Sequence, residues 1–384
     1  MKKLLLITRN FPPLVGGMER LVFNIYKQLA EQHVCDVIGP PGSGASVQDN
    51  HQSYECRLQP VPVFILSAIF KGLLASFSGN YRVCIAGSGL TAPAAVIVSK
   101  IRGLKSITFV HGLDLIVRNR IYQLTFIPFI RRSDIVVANS HNTARLAEQA
   151  GIPAENIVIL HPGVDIPCGS QGVEKFRKQY KLEGKSLLLS AGRIIPRKGM
   201  AEFIRYALPA VIRKHTDTVL VIVGSEPENA LNRTDNALED IKSAIKDLGL
   251  EEHVLMTGRV DDNSLQAAYE EADCFIFPLR EVPGDVEGFG MVAVEAAAYG
   301  LPTIAFAEGG VNDAISEGES GVLITPGDYE GFSRILIKYL DDPEVMPSPA
   351  SCRAFAERFN WNHFGDRLRY IVNSTSAETS LETE

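Results

Sequence analysis

Alternation of strands and helices is the feature that most constrains the fold of this chain. Short runs of Leu, Val and Ile alternate with amphipathic segments over residues 1–168, and the same alternation recurs over residues 169–360. A repeated strand–helix–strand pattern places parallel strands in one sheet with helices on both faces. Because the chain has 384 residues, more than a single hydrophobic core usually organises, the sequence predicts two doubly wound α/β domains.

The predicted boundaries follow the apolar runs and the turn residues between them. Residues 162–171, rich in Pro, Gly and polar residues, predict a linker, and the acidic stretch 373–384 predicts a frayed tail. Helices are predicted at 20–32, 142–150, 201–214, 236–248, 265–272 and 291–299. Strands are predicted at 3–8, 33–38, 83–86, 106–110, 135–139 and 157–160, and again at 186–191, 218–223, 254–257, 274–277, 302–306 and 321–324.

The average charge hides two different halves. The formal charge of −7 and the pI of about 5.7 disfavour a nucleic-acid partner, since proteins that bind nucleic acids are usually basic. Residues 1–168 carry 16 basic and 10 acidic residues, a charge of +6, whereas residues 169–384 carry 22 and 35, a charge of −13. The basic first half therefore remains compatible with an anionic membrane surface.

The basic half also holds the most apolar segments. The run 61–77 is interrupted by Pro62 and Lys71 and is shorter than the ~20 apolar residues of a membrane span, so no transmembrane helix is predicted. For the segment 121–130 two interpretations stay open: solvated arginines beside a buried helix, or a basic and apolar face that binds anionic lipid headgroups. The arginines in question are Arg118, Arg120, Arg131 and Arg132.

Cysteine usage and the N-terminus indicate the compartment. The six cysteines, at positions 35, 56, 84, 168, 274 and 352, have no CxxC spacing, so buried thiols are expected instead of a zinc site. The opening MKKLLLIT predicts a buried strand and not a signal peptide, because the apolar run ends at Arg9 and no cleavage motif follows. We expect a cytoplasmic protein, either free or peripheral on the inner face of the plasma membrane.

Ligands of open parallel sheets sit beyond the carboxyl ends of the strands, and two loops of the first half qualify. In one, Gly16 and Gly17 precede a helix, where bare backbone can approach a ligand. An ordinary tight turn fits equally well, and the G-x-G-x-x-G fingerprint of dinucleotide binders is missing. In the other, His111 follows a strand directly. Its imidazole can donate to a sugar hydroxyl or a phosphate oxygen, with a structural role as the alternative.

Two loops of the second half carry charges. Arg193 and Lys198 lie in the loop 192–199. The planar guanidinium of Arg193 and the point charge of Lys198 suit a diphosphate; two ordinary surface cations are the alternative. In the segment 283–300, Glu287 precedes the Gly-Phe-Gly that opens a helix, and Glu295 lies inside that helix among Ala and Val. The helix N-terminus offers amides to a phosphate, and the glutamates can accept from sugar hydroxyls. A capping glutamate and a solvated one are the alternative.

Together these motifs resemble the retaining glycosyltransferases of family four. The matching segments, in the family's order, are PPLVGG at 12–17, the His-Gly pair at His111, GRIIPRKG at 192–199, Glu-x7-Glu from Glu287 to Glu295, and FAEGGVNDAI at 306–315, where Asn312 and Asp313 replace the family's frequent Pro-Glu. The resemblance covers about residues 4–370. It implies a GT-B fold, in which two Rossmann-like domains, 1–168 and 169–360, face a central cleft. A C-terminal helix, about 361–372, would pack back on the first domain.

The resemblance also implies roles for individual residues. Arg193 and Lys198 would neutralise the diphosphate, Glu295 would bind the ribose, and Glu287 would bind hydroxyls of the donor sugar. The amides of Phe289, Gly290 and Met291 would line the donor site. From the first domain, His111 would contact the donor sugar, and Gly16 and Gly17 would approach the diphosphate and the acceptor. The expected catalytic residues are therefore His111, Arg193, Lys198 and Glu287.

The expected reaction is retaining transfer of a hexose from a nucleotide sugar, GDP-mannose before UDP-hexoses. The expected acceptor is a lipid-linked or cell-surface glycan, as in polysaccharide or lipopolysaccharide synthesis. No cofactor and no metal are expected, because no Asp-x-Asp stands at a strand end and the nearest match, Asp-Val-Glu at 285–287, already uses Glu287. A soluble acceptor, or nucleotide-sugar binding without transfer, is the alternative; the missing dinucleotide fingerprint disfavours a dehydrogenase.

Overall fold

The computed structural model describes residues 3–167, 176–226 and 236–377. The chain forms two compact units, the first comprising Met1–Gly163 and Trp361–Glu384 and the second Val164–Asn360. The units separate at Gly163, whereas the sequence places the boundary after residue 168, in a linker whose residues 168–171 lie outside the described ranges.

A seven-stranded parallel sheet forms the centre of the first unit, in the order β3-β2-β1-β4-β5-β6-β7. Its central strand β1 has no exposed surface from Leu4 to Ile7, as expected of a parallel strand covered on both faces. The strands are β1 Lys3–Ile7, β2 Cys35–Gly39, β3 Ser53–Glu55, β4 Tyr81–Ala86, β5 Lys105–Val110, β6 Ile135–Ala138 and β7 Ile157–Ile159.

Helices cover both faces of this sheet. One layer packs its apolar side chains with Leu5, Ile7 and Ile38, and it contains α2 Val61–Ser78, α3 Ala92–Arg102, α4 Leu113–Ile116, α6 Ile127–Ile130 and α7 His141–Gln149, with the short α5 Arg120–Thr125 beside α6. The opposite face is covered by α1 Gly17–Ala30 and the C-terminal helix α17 Trp361–Ala377. Arg369 of α17 is buried and donates to the carbonyl of Gln28 at 2.8 Å, which fixes α17 on α1.

The second unit repeats the architecture with a six-stranded parallel sheet in the order β10-β9-β8-β11-β12-β13. Its strands are β8 Ser186–Ala191, β9 Thr218–Val223, β10 Val254–Gly258, β11 Cys274–Phe277, β12 Thr303–Phe306 and β13 Gly321–Ile324. One face packs against α8 Phe176–Gln179, α12 Asp262–Glu271, α13 Met291–Ala298, α14 Val311–Ala314 and α16 Pro349–Ala356. The other packs against α9 Met200–Tyr206, α10 Leu208–Lys214, α11 Ala237–Leu248 and α15 Tyr329–Asp341.

The predicted fold class is confirmed: each unit is a doubly wound parallel sheet, and each predicted strand lies within two residues of an observed one. The short edge strand β3 was missed, since Ser-Tyr-Glu carries no apolar run. The single helix predicted at 201–214 is wrong. Pro209 has no amide hydrogen to donate, and the chain breaks at Ala207 into α9 and α10. The predicted tail is helical as far as Ala377.

Helix α2 contains the apolar run 61–77, for which the sequence predicts no transmembrane helix. The helix runs for 18 residues and has a mean hydropathy of 1.8. By length and composition alone it is therefore a candidate membrane span. Such a helix is weak evidence of a span, because core helices of soluble proteins pass the same test. Only 28% of the helix is buried.

The described cysteines behave as expected. Cys35, Cys56, Cys84, Cys274 and Cys352 are all free and buried. Burial raises the pKa of Cys84 to about 12 and that of Cys352 to about 11, which keeps both thiols protonated and unreactive at neutral pH. Cys168 lies outside the described residues.

Candidate active site

The charged loops of the second unit lie at the point where the strand order of its sheet reverses. Strands β8 and β11 are neighbours at the centre of the sheet, and the chain runs from β8 to β9 on one side and from β11 to β12 on the other. The crevice beyond the carboxyl ends of such a strand pair is where open α/β sheets bind ligands. The loop after β8 carries Arg193, Arg197 and Lys198, and the loop after β11 carries Asp285 and Glu287.

A glycine lets these two loops lie directly against each other. Gly199 has a φ of +66°, and a Cβ there would stand 2.0 Å from the carbonyl oxygen of Pro278, which follows β11. The amide of Arg280 donates to the carbonyl of Arg197 at 3.0 Å. Backbone contacts therefore place Arg197 and Lys198 beside the loop 283–290.

Four side chains from the two loops form what we call the Glu287 cluster: Arg197, Lys198, Asp285 and Glu287. Lys198 Nζ donates to Glu287 Oε2 at 2.8 Å, and Arg197 Nη2 and Nε donate to the same oxygen at 3.2 and 3.4 Å. The other arm of the guanidinium, Nη1, donates to Asp285 Oδ1 at 2.6 Å. The side chains of Arg197, Lys198 and Glu287 are 8%, 14% and 13% exposed. Two buried cations thus balance two carboxylates, as buried charges require.

Burial and pairing act in opposite directions on these groups. Burial by itself raises the pKa of Glu287, but Lys198 and Arg197 outweigh it and lower that pKa to about 2. Burial lowers the pKa of Lys198 below its usual value, against the opposing effect of Glu287. Burial also acts to lower the pKa of Arg197, but Glu287 and Asp285 prevail and raise it. Glu287 is therefore an anion at neutral pH.

The loop after β12 supports Glu287 from its backbone side. The amide of Gly310 donates to the carbonyl of Glu287 at 2.8 Å, and a Cβ on Gly310 would stand 2.1 Å from the carbonyl oxygen of Gly288. Gly309 has a φ of +63°, and its Cβ would stand 2.8 Å from the same Glu287 oxygen. Gly309 and Gly310 therefore let the loop after β12 contact the backbone of Glu287 and Gly288 closely, and side chains at these positions would push the two segments apart.

Helix α13 starts beside the cluster and carries Glu295. Its N-cap Gly290 is in the left-handed region at φ 100° and offers no side-chain cap, so the amides of the first turn point to the space beyond the strands. Phe289 is buried and anchors this turn. Glu295 is half-buried and accepts from the Tyr269 hydroxyl at 3.3 Å. Tyr269 in turn stacks on Tyr299 with ring centroids 5.4 Å apart.

The structure thus brings Lys198, Glu287 and the start of α13 together. Arg193, which was predicted to act with Lys198, does not join their ion-pair cluster. Arg193 is exposed and makes no ion pair with any described residue. Sequence reasoning missed Arg197, whose guanidinium is buried between Asp285 and Glu287. The adjacent cations at 197 and 198 were the available signal, but a loop sequence does not reveal which side chain points inward.

The remaining candidates lie in the first unit, after β1 and β5. His111 Nε2 donates to the carbonyl of Gly87 at 3.0 Å, which in a neutral ring leaves Nδ1 as an acceptor; that atom is buried without a partner among the described residues. The N–H of His111 that was expected to donate to a sugar hydroxyl or a phosphate oxygen therefore already donates to a backbone carbonyl. Gly16 and Gly17 are exposed at the start of α1, and a Cβ on Gly17 would meet no atom within 4 Å.

Family comparison covers nearly the whole chain in two adjoining matches. The family model described as "Glycosyl transferases group 1" matches residues 172–359. The model described as "Glycosyltransferase Family 4" matches residues 15–166. The chain belongs to the group 1 and family 4 glycosyltransferases. It is therefore an enzyme, and the resemblance drawn from its motifs is confirmed.

Individual relatives of this glycosyltransferase are distant. It is 27% identical over 391 residues to the "GDP-mannose-dependent alpha-(1-6)-phosphatidylinositol monomannoside mannosyltransferase" of Mycolicibacterium smegmatis, covering 96% of this chain and 98% of the relative. It is 28% identical over 328 residues to "D-inositol 3-phosphate glycosyltransferase 1" of Catenulispora acidiphila, covering 81% and 76%. The crystal structure of Anabaena Alr3699/HepE in complex with UDP is similar in fold, with a TM-score of 0.78, 22% identity and 97% and 100% coverage.

Two atoms of the glycosyltransferase's Glu287 cluster remain open to a ligand. All three donated hydrogen bonds end on Glu287 Oε2, and Oε1 has no partner among the described residues. Lys198 Nζ has three hydrogens and gives one of them to Glu287, while its flank rests on the Phe277 ring at 4.4 Å. Glu287 Oε1 can therefore accept further hydrogen bonds, and Lys198 Nζ can donate further ones.

Proposed function

We propose that this glycosyltransferase transfers mannose, with retention of configuration, from GDP-mannose to a lipid-linked or cell-surface glycan acceptor. The observation that carries the proposal is the Glu287 cluster beside the N-terminus of α13, because it joins a cation for a diphosphate to a carboxylate for sugar hydroxyls. The preference for GDP-mannose and a lipid-linked acceptor is supported by the name of the Mycolicibacterium smegmatis relative, a GDP-mannose-dependent phosphatidylinositol monomannoside mannosyltransferase.

The reaction needs a stabilised leaving group. As the bond between the anomeric carbon and the diphosphate breaks, negative charge grows on the phosphate oxygens. Lys198, held by Glu287 at 2.8 Å and by Phe277 beneath it, would donate its free hydrogens there, and the amides opening α13 would add their partial positive charge. Arg193, exposed at the same loop, would close on the diphosphate as the donor binds.

The two glutamates would orient the donor. Glu287 Oε1 is the free oxygen of a fixed carboxylate, so it would accept from hydroxyls of the transferred sugar. Glu295 would accept from the ribose, with the Tyr269 hydroxyl holding its Oε2 at 3.3 Å. From the first unit, His111 would contact the donor sugar, and the exposed Gly16 and Gly17 would let the chain approach the diphosphate and the acceptor.

Transfer would be independent of metal ions and would proceed on one face of the sugar. Both carboxylates of the 285–287 segment are already neutralised by Arg197 and Lys198, so they offer a divalent cation little net charge. The departing phosphate oxygen would take the acceptor's proton, and the acceptor would attack from the side that the phosphate leaves, so the anomeric configuration is kept.

A second candidate is transfer from a UDP-sugar to a soluble acceptor. The soluble acceptor is favoured by the Catenulispora acidiphila relative, whose name specifies D-inositol 3-phosphate. The Glu287 cluster serves either donor, because its contacts would address the diphosphate and the sugar, which both donors contain. We place the enzyme in the cytoplasm, at the inner face of the plasma membrane when its acceptor is lipid-linked.

A thermal-shift screen of nucleotide sugars tests the donor first. The correct donor should raise the melting temperature by mass action, since it binds the folded state alone. Transfer from GDP-[14C]mannose to membrane lipids, with and without EDTA, then tests the reaction, and NMR of the product gives the anomeric configuration. A shift with UDP-sugars but not GDP-mannose selects the second candidate. Activity lost in EDTA and restored by Mn2+ refutes metal independence, and a shift without transfer to any acceptor indicates a binding protein.

A further inference from the structure

We propose that the helical layer of the first unit containing α2, α3 and α5 is a docking surface for an anionic lipid bilayer, and that α2 is the element that enters the bilayer interface. The inference rests on the proposed lipid-linked acceptor, and it identifies the surface that would bring the enzyme to that acceptor. It moves the membrane contact from the segment 121–130 alone to a broader surface centred on α2.

The outer face of α2 carries an unbroken apolar stripe. Its members recur at intervals of three or four residues, so they lie on one side of the helix. Over 14 residues the stripe extends for about 20 Å at 1.5 Å per residue. The stripe, here called the α2 stripe, consists of Val63, Leu66, Phe70, Leu74 and Phe77, which are 48%, 67%, 62%, 54% and 65% exposed. Large apolar side chains in such a row mark an interaction surface.

The inner face of α2 is fixed to the fold, so the helix would lie along a bilayer and not cross it. Phe64 and Ala68 are fully buried in the core of the first unit. A Cβ on Gly72 would stand 2.8 Å from Val98 Cγ2 of α3, so the two helices are in close contact. Crossing the membrane would require α2 to leave this seat, whereas lying in the interface requires only that the α2 stripe enter the headgroup region.

Neighbouring helices extend the surface. Helix α3 contacts both α2 and α6, and α6 contacts α5, so these helices form one layer on the same side of the sheet. Ile101 at the end of α3 is 57% exposed, and Ile121 and Leu124 of α5 are 72% and 75% exposed. The apolar side chains thus continue beyond α2 along the layer.

The charge of this region selects an anionic partner. The stretch 56–132, which supplies helices α2 to α6 of this layer, contains ten Lys and Arg and a single acidic residue, Asp114, for a formal charge of +9. Asp114 is occupied by the amides of Gly89 and His111, at 3.1 and 3.3 Å. The other nine acidic residues of residues 1–168 lie outside this stretch, with Glu148 on α7 of the same layer, so the excess of positive charge belongs to α2 through α6 and not to the whole unit.

The basic groups stand at the edges of the apolar surface. Arg102 lies over the Phe77 ring, 4.1 Å from its centroid, and donates to the carbonyl of Ser76 at 2.9 Å. Lys100, Arg120 and Arg131 are exposed. Apolar side chains flanked by exposed cations suit the boundary between acyl chains and anionic headgroups. A second copy of this chain would bring the same +9 against itself, so charge favours the bilayer over self-association.

Vesicle co-sedimentation of the full chain tests the proposal. Wild-type protein should partition onto phosphatidylcholine vesicles containing 30% phosphatidylglycerol at least tenfold more strongly than onto pure phosphatidylcholine, with the excess lost in 1 M NaCl. Phe70→Glu should reduce partitioning at least tenfold. Its matched control is Tyr370→Glu, because Tyr370 is 69% exposed on α17, on the opposite face of the same sheet, and this variant should bind vesicles like wild type.

A charge variant guards against misfolding of the apolar one. Lys100→Glu with Arg120→Glu changes two exposed side chains and should weaken binding to the anionic vesicles at least tenfold while leaving the melting temperature unchanged. Equal binding of wild type to both vesicle types, or equal loss in Tyr370→Glu and Phe70→Glu, overturns the proposal. A wild-type dimer by analytical ultracentrifugation that Phe70→Glu converts to monomer, without vesicle binding, assigns the surface to self-association and also overturns it.

The result is separable from the proposed function. Vesicle binding needs no donor, and the GDP-mannose thermal shift needs no vesicle. If Phe70→Glu loses vesicle binding and keeps the donor shift, the surface stands whatever the acceptor is. If wild type shows the donor shift and transfers mannose to lipid but ignores vesicle charge, the docking surface is refuted and the proposed function survives.

Discussion

The two units of this chain share one topology but differ in where they place their charged residues. The first six strands of each sheet follow the same order, β3-β2-β1-β4-β5-β6 and β10-β9-β8-β11-β12-β13. In the second unit, the loops at the point where the strand order reverses bury a neutral cluster of two cations and two carboxylates. In the first unit, the excess of positive charge lies with exposed apolar side chains on a helical layer. The same scaffold thus holds an interior polar site in one copy and an outer surface in the other.

Gly309 and Gly310 of the second unit differ from Gly17 of the first unit in the room left for a side chain. Gly309 and Gly310 press against the backbone of Glu287 and Gly288, with no room for a Cβ. Gly17 meets no atom within 4 Å. Packing of the described residues requires glycine at both positions in the second unit, whereas it does not require glycine at position 17. If Gly17 serves a ligand, its need for glycine arises only when that ligand is bound.

The largest effect that sharpens this comparison is expected for Lys198→Ala. Removing the buried cation should lower kcat about 10²- to 10³-fold, the usual loss when one preorganised donor to a developing negative charge is deleted. Steady-state mannosyl transfer measures it. Lys246→Ala, an exposed lysine on α11 of the same unit, is the control and should keep wild-type kcat. Equal activity of both variants would remove Lys198 from the reaction.

The ion cluster should also make the stability of the enzyme depend on acid pH. Glu287 has a pKa of about 2 in the folded protein against an ordinary value of 4.5. Its stabilisation is therefore complete above pH 4.5 and is lost as the pH falls towards 2. One pKa unit corresponds to about 1.4 kcal/mol, so the contribution is of the order of 3 kcal/mol.

Melting temperatures of wild type and Glu287→Gln from pH 6 to pH 2.5 measure this contribution. The gap between the two should narrow as the pH falls, because wild type loses the ionised carboxylate that the variant lacks throughout. Glu319→Gln is the control, since Glu319 pairs with Arg358 at the exposed surface and should show a much smaller gap. A gap for Glu287→Gln that does not change with pH contradicts the assignment.

Alanine substitution tests the difference between the glycine pairs. Gly310→Ala should lower the free energy of unfolding by about 1–3 kcal/mol, the usual range for overpacking, because its Cβ would collide with the carbonyl of Gly288. Gly17→Ala should leave that free energy within about 0.5 kcal/mol of wild type. Urea unfolding measures both. Equal losses would mean that the two pairs are packed alike.

The smallest expected effect concerns the support of Glu295. Tyr269→Phe removes the hydroxyl that donates to Glu295 Oε2 and keeps the ring stacked on Tyr299. The KM for the donor should rise about threefold with kcat unchanged, since one modest hydrogen bond is worth about 0.7 kcal/mol. A fall in kcat instead would place Tyr269 in the chemical step, and an unchanged KM would separate Glu295 from donor binding.

Much of the candidate site could be predicted from local sequence. The strands are apolar runs ending at turn residues, so the loops after β8 and β11 could be located, and with them Lys198 and Glu287. Arg197 could not be selected, because its role depends on an ion pair with a residue 90 positions away. The members of the α2 stripe could not be predicted either, because an apolar run does not show which of its residues the fold will bury.

The sequence alone determined the two doubly wound sheets, the charge contrast between the halves and the positions of the candidate-site loops, because hydrophobic periodicity and net charge are properties of neighbouring residues. The tertiary structure decided which charges are buried together and which apolar side chains stay outside. Both depend on the close approach of segments far apart in the chain: Gly199 against Pro278 brings Arg197 and Lys198 to Glu287, and Gly72 against Val98 leaves the α2 stripe facing outward.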